Sequence, residues 1–197
     1  DISTSEGKYA VIRGSAVLQD GKSASLTAPN GLAQEELLRC ALSDAQISAS
    51  EVNLIEAHGT GTKLGDPVET AALSSVFGGE TRSATNPLYV SSVKANIGHL
   101  EAAAGIAGIF SVIASLQYQQ APRNANLCTI NPQVLESTAN SCILFPKSNI
   151  AIDIAKSIIA GVSSFGYSGT IAHVLLEQPD QPRAQSILSN PATLSSL

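Results

Sequence analysis

The sequence predicts an α/β layered domain, and three observations carry the prediction. Apolar runs of strand length alternate with stripes of helical period along nearly the whole chain. Of the 197 residues, 44% are hydrophobic and 14% charged, enough apolar matter for one sizeable core. Clusters of Gly, Pro, Asn and Asp punctuate the runs where the period changes.

Taken in order, residues 9–18 read as a strand, with Gln19-Asp20-Gly21-Lys22 as the turn after it. Pro29-Asn30-Gly31 then precedes a helix over 33–45, where Leu37, Leu38 and Leu42 form the apolar stripe. Residues 52–57 form the next strand. The following helix starts with Asp66 as N-cap, Pro67 at the first helical position and Glu69 closing a capping box. A third strand covers 88–93. Residues 100–118 are apolar or small on nearly every side, which predicts a central helix covered on both faces. A membrane span is the competing reading, disfavoured because the stretch is short and rich in Ala and Gly. Residues 119–140 read as loop, 143–145 as a short strand, and 158–162 and 171–176 as two strands joined by a Gly- and Ser-rich turn. Residues 179–197 have the composition of a linker or tail.

Composition narrows the function classes. A net charge of −5 with no basic run argues against a nucleic acid partner. The start is polar, unlike a secretory signal. Three widely spaced cysteines, Cys40, Cys128 and Cys142, do not make a disulfide framework and point to a reducing compartment. Each reads as structural. The sequence contains no Met and begins at Asp1, so a piece of a longer protein is expected.

Three stretches carry chemistry. In Glu56-Ala57-His58-Gly59-Thr60-Gly61-Thr62 an apolar strand runs out into a glycine loop, which sets His58 at a strand's carboxyl end, where open α/β sheets build sites. Without further information a lone histidine there is structural as often as functional. Phosphate binding is a poor alternative: the Gly59, Gly61, Gly65 spacing is one residue too long for a dinucleotide fingerprint, and the Walker lysine pattern is missing. In Lys94-Ala95-Asn96-Ile97-Gly98-His99, the second histidine directly precedes the apolar helix, whose positive end favours a neutral ring able to donate one hydrogen bond. Lys94 adds a cation to the same loop, although a solvated surface lysine is its default reading. The third stretch, Gly161-Val162-Ser163-Ser164-Phe165-Gly166-Tyr167-Ser168-Gly169-Thr170, is not a G-x-S-x-G nucleophile elbow. His173 follows a strand pattern and reads as structural.

Together with Arg13-Gly14-Ser15-Ala16, Leu26-Thr27-Ala28-Pro29-Asn30-Gly31 and Gly65-Asp66-Pro67, these stretches resemble the carboxyl-terminal half of a β-ketoacyl synthase, most of all that of type I polyketide synthases. The resemblance runs from about Tyr9 to Glu177. It implies a thiolase-like fold, with residues 1–19 as the last strand of the amino-terminal half, 20–178 as the carboxyl-terminal half and 179–197 as a tail. It implies decarboxylative condensation of acyl and malonyl-type thioesters, with the nucleophilic cysteine outside this chain, so that the chain alone cannot form the acyl-enzyme. His58 and His99 match the histidines that polarise the malonyl thioester, and Lys94 the lysine that organises the site. Thr60 and Thr62 match positions that bind the phosphopantetheine arm of an acyl carrier protein. Tyr167 matches the position whose N–H completes an oxyanion hole on a gating loop, with Phe165 packing on the same turn. No other cofactor and no metal are implied. The partners implied are the carrier protein, an acyltransferase domain of the same synthase and a second copy of the domain. The location implied is cytoplasmic, with an organelle as the alternative. Ile171 stands where the family usually has Asn, so the gating loop should be held differently here. The reading from another class is a non-catalytic chain-length or carrier-binding partner, which intact His58, Lys94 and His99 speak against.

Overall fold

A computed structural model describes residues 8–21, 29–79, 82–152 and 157–179. Leu26, Thr27 and Ala28 of the motif that runs to Gly31, and all but the first residue of the expected tail, lie outside the described residues. A six-stranded sheet has the order β1 (Val11–Gln19), β8 (Thr170–Glu177), β7 (Ile159–Phe165), β2 (Val52–Glu56), β3 (Leu88–Ser91), β5 (Ile143–Leu144). β1, β8 and β7 pair antiparallel, and β7, β2, β3 and β5 parallel. A second, two-stranded sheet joins β4 (Gln120–Ala121) to β6 (Ile150–Ala151).

The sheet's two faces explain why the apolar runs are continuous. β2 is buried at all five positions, as a parallel strand covered on both sides must be. Its Ile55 packs with helices α1 (Gly31–Ala45) and α2 (Gly65–Phe77) in a core of Leu38, Leu42, Leu73 and Phe77. Leu54, on the opposite face, packs with Val112 and Leu116 of helix α4 (Ala104–Tyr118) and with Ala160 and Val162 of β7.

α1 begins as its sequence suggests, with the Asn30 side chain accepting from the Ala33 N–H. α2 does not. Its N-cap position is Leu64, with no side-chain cap, and the Asp66 and Glu69 carboxylates turn back to the preceding loop, where Gly61, His58 and Gly59 offer N–H groups. The expected covering of 100–118 is also corrected. A 3-10 turn over Glu101–Ala103 precedes α4, which buries Ala104, Gly108, Val112 and Leu116 while Ile106 and Phe110 stand exposed, Phe110 at 64%. The described residues cover only the sheet-facing side. By length and hydropathy Glu101–Tyr118 could cross a membrane, but its packed row against β7 and β2 is that of a core helix. Within the expected loop 119–140 lies a helix, α5 (Pro132–Ser137), capped by the Asn131 side chain with Pro132 at its first position.

Gly14 shows what one motif residue does. A Cβ there would lie 2.5 Å from the Ala45 backbone nitrogen at the end of α1, a contact no side-chain rotation relieves. Gly14→Ala should therefore cost about 1–3 kcal/mol. An unchanged thermal midpoint would show that β1 moves off α1 freely.

Candidate functional site

The parallel strands β2 and β3 end side by side, and the loops beyond their carboxyl ends build the site. His58 follows β2 by two residues. Its backbone N–H donates to Glu69 Oε1 (2.7 Å) and that of Gly59 to Glu69 Oε2 (2.9 Å), so one buried carboxylate grips the loop at two consecutive amides. Gly59 has φ of +46°, and a Cβ there would sit 2.9 Å from that of Ser92, which is why this position takes no side chain.

After β3, the single turn α3 (Lys94–Ile97) carries Lys94. It is anchored from β2: Glu56 Oε1 accepts the Val93 N–H at 2.6 Å, and Glu56 Oε2 the Ser111 hydroxyl at 3.0 Å. Asn124 ties the same turn to the loop opposite by accepting from the Ser92 N–H and donating to the Val90 carbonyl.

The two histidine rings meet edge to face, with centroids 5.8 Å apart and planes at 87°. Each ring has its Nδ1 occupied by a backbone donor. The Phe165 N–H donates to His58 Nδ1 (3.3 Å), and the Glu101 N–H to His99 Nδ1 (3.0 Å). A nitrogen that accepts carries no proton, so in each neutral ring the N–H is at Nε2. This corrects the expected role of helix polarity at His99. The regular helix starts only at Ala104, and the local device is Glu101, whose left-handed φ of +49° turns its amide back onto the ring. Such a backbone conformation is strained for a residue with a Cβ and recurs at functional sites.

Electrostatics support the neutral form of His58. Burial, then the charge of Lys94, then His99 push its pKa down to about 4. Burial lowers Lys94 also, against the pull of Glu56 and Glu69. Burial raises both carboxyls to about 7. Neither Glu56 nor Glu69 stands out in the sequence as a site residue, although a Glu closing the mostly apolar run of β2 was the available sign.

Two cavities flank the loop. One, of about 490 Å³, is lined by Lys94, His99, Thr60, Glu69, Asn124 and Phe145, among others. The other, of about 470 Å³, is lined by His58, His99, Thr60, Thr62, Phe165 and Tyr167 together with Gln34 and Asp20. All seven residues singled out in the sequence thus meet in two adjoining spaces that share Thr60 and His99. The Thr62 hydroxyl oxygen accepts from the Gly65 N–H at 3.0 Å, which leaves its proton to donate outward. Phe165 packs on His58, its ring centroid 5.1 Å away.

Tyr167, 85% exposed, lies at the tip of the β7–β8 turn. The Gly166 and Gly169 N–H groups are used within the turn, and that of Tyr167 makes no backbone hydrogen bond among the described residues. Ile171 is fully buried and contributes nothing polar. The turn is held instead from the end of β1: Gln19 Nε2 donates to the Ser168 carbonyl, and the Asp20 N–H to that of Gly169. His173 is buried against Ser163, its Nδ1 2.9 Å from the hydroxyl oxygen, a core pair as its strand pattern suggests. Cys40 and Cys142 are half-buried, Cys128 is exposed against expectation, and none of the three lines either cavity.

Comparison with known proteins agrees with this geometry. The family model of the β-ketoacyl synthase C-terminal domain matches residues 9–128. The chain is 46% identical over 182 residues to the spectinabilin polyketide synthase system protein NorA' of Streptomyces orinoci, and 46% identical over 170 residues to the erythronolide synthase EryA3 of Saccharopolyspora erythraea. These matches take in 92% and 86% of this chain but 5% of each relative. The ketosynthase from module 6 of the bacillaene synthase of Bacillus subtilis 168 superposes with a TM-score of 0.79 at 36% identity, covering 88% of this chain and 32% of that one. The layered sheet is therefore that of ketosynthases, of thiolase-like fold. On its motifs, its fold and these matches, the chain belongs to the β-ketoacyl synthase family, as the carboxyl-terminal part of a ketosynthase domain of the type I polyketide synthase kind.

Proposed function

We propose that this chain supplies the decarboxylating half of a condensing site that joins acyl and malonyl-type thioesters delivered on acyl carrier protein. The observation that carries the reading is the pair of Nε2–H donors, on His58 and His99, in the wall of one cavity. In the reaction the bond between the malonyl α-carbon and its carboxylate breaks and carbon dioxide leaves. The electron pair passes into the thioester, whose oxygen becomes an enolate. Two fixed donors at that oxygen stabilise the charge as it develops. The α-carbon then attacks the acyl thioester, forming the new carbon–carbon bond and expelling the thiolate that carried the acyl chain. That thiolate comes from outside this chain. Lys94 holds positive charge beside the departing carboxylate. Thr60 and Thr62 bind the phosphopantetheine arm, and the Tyr167 N–H serves the acyl oxyanion.

The same reading makes residues 1–19 the end of the preceding half, 20–178 the carboxyl-terminal half and 179–197 a tail. β1 lies at the sheet's edge, and the bare side of α4 offers the preceding half a surface of Ile106 and Phe110. An acyltransferase domain, a second copy of the domain and a cytoplasmic setting complete it.

Carbon dioxide release from malonyl-loaded carrier protein by the full-length synthase, followed by isotope label, tests the reading. Release coupled to appearance of the β-ketoacyl product is expected. If neither occurs with an acyl-loaded enzyme, the site is not a condensing one.

A further inference from the structure

The cavity that holds His58, Thr60, Thr62 and Tyr167 has two wall residues for which these roles give no account. Gln34, in the first turn of α1, is 2% exposed, and its side-chain oxygen Oε1 meets no donor. Asp20, just past β1, lines the same wall, and its Oδ1 is likewise buried without a partner. The surroundings are otherwise satisfied. The Asp20 carboxylate accepts the Asn30 N–H, the Asn30 side chain caps α1 and donates to the Asp20 carbonyl, and the Gln34 N–H donates to the Asn30 carbonyl.

A buried amide oxygen without a donor costs about 1–3 kcal/mol, and folded proteins leave few of them. Packing does not demand a polar group here. The same side of α1 continues through Leu37, Leu38 and Ala41, and a leucine would occupy the volume of Gln34 without that cost. A polar residue kept on an apolar face beside a cavity implies that a donor arrives from the cavity.

We infer that Gln34 is a binding residue for the phosphopantetheine arm, its Oε1 accepting an N–H or O–H of the arm, with Asp20 beside it. The inference rests on the reading of this cavity as the arm's channel. The chemistry is complementary. Pantetheine presents two amide N–H groups and hydroxyl protons as well as carbonyls. Thr60 and Thr62 can donate to the carbonyls, but the arm's own donors need acceptors, and Gln34 and Asp20 carry the wall's buried side-chain oxygens without a partner among the described residues. The terminal torsion of Gln is soft, so a small rotation brings Oε1 to an arriving donor.

The test compares two substrates of the full-length synthase: malonyl-pantetheine, and a malonyl thioester of propanethiol, whose alkyl part has no donor. With Gln34→Leu, kcat/KM for carbon dioxide release should fall about tenfold on the pantetheine thioester, the size of one lost hydrogen bond. On the propyl thioester it should stay within about twofold, which also shows that the variant folds. Gln34→Met removes the acceptor with a different shape and should behave alike. Unchanged activity on malonyl-pantetheine would overturn the proposal, because a resident water would then be the oxygen's partner. Equal losses on both thioesters in both variants would overturn it as well, by showing that Gln34 only supports α1. A wild-type synthase inactive on malonyl-loaded carrier protein and on malonyl-pantetheine alike would remove the condensing reading and this inference with it.

Discussion

His99→Ala in the full-length synthase is expected to slow carbon dioxide release from a malonyl thioester by about a hundred- to a thousandfold, the loss found when one preorganised donor to a developing oxyanion is removed. The fold should hardly respond, because the ring is exposed and its one hydrogen bond among the described residues is that from the Glu101 N–H. A variant with wild-type stability and wild-type condensing rate would place the chain among non-catalytic partners instead.

His58 adds a pH signature to the same experiment. Its pKa is pushed down to about 4, so the ring stays neutral from pH 8 to about 5. The rate should lose its His58-dependent part only below that, as protonation makes Nδ1 a donor facing the Phe165 N–H. Stability follows the same sign. The unfolded chain takes up the proton near pH 6.5 and the folded one near 4, so the contribution is full above 6.5 and is lost as pH falls through 4. An acid limb in the rate centred at 6.5 would mean that His58 is solvated and not locked by Phe165.

Much of the scaffold is legible in the sequence because burial leaves a plain mark: β2 and β8 are short runs rich in Val, Ile and Leu, and the buried start of β7 reads Ile-Ala-Gly-Val. The site is legible in its residue types but not in its devices. The proton positions on His58 and His99 depend on a backbone amide 107 residues distant and on one left-handed residue, neither of which any local pattern encodes. The Asp66 and Glu69 spacing fits a capping box, yet the glycine loop curls back and offers those carboxylates other amides, so tertiary competition decides. α5 was written in its Asn131-Pro132 start and hidden by the polar stretch around it. The bare side of α4 could not be foreseen, because periodicity tells that a residue needs cover and not which segment supplies it.

Glu69 is where that competition has its largest consequence. Glu69→Ala would leave the His58 and Gly59 amides without their acceptor, in a loop whose Gly59 φ is already left-handed. Two hydrogen bonds from part-buried amides are lost, and part of that loss is returned because no carboxyl has to be desolvated. A net cost of about 1–3 kcal/mol follows. Glu69→Gln separates the two effects. Its amide can accept at one N–H but turns an NH₂ toward the other, so one bond survives and His58 is no longer held at two adjacent points. A displacement near 1 Å in a reacting geometry costs about a hundredfold. The Gln variant should therefore lose rate well beyond its loss of stability. The pH dependence runs opposite to that of His58. The folded carboxyl titrates near 7 and the unfolded one near 4.5, so its contribution is full below 4.5 and is lost as pH rises through 7. In denaturant titrations at pH 5 and pH 8, the Gln variant should show a smaller fall in stability between the two than the wild type. Equal falls in both, with an unchanged rate, would mean that the loop holds His58 without Glu69.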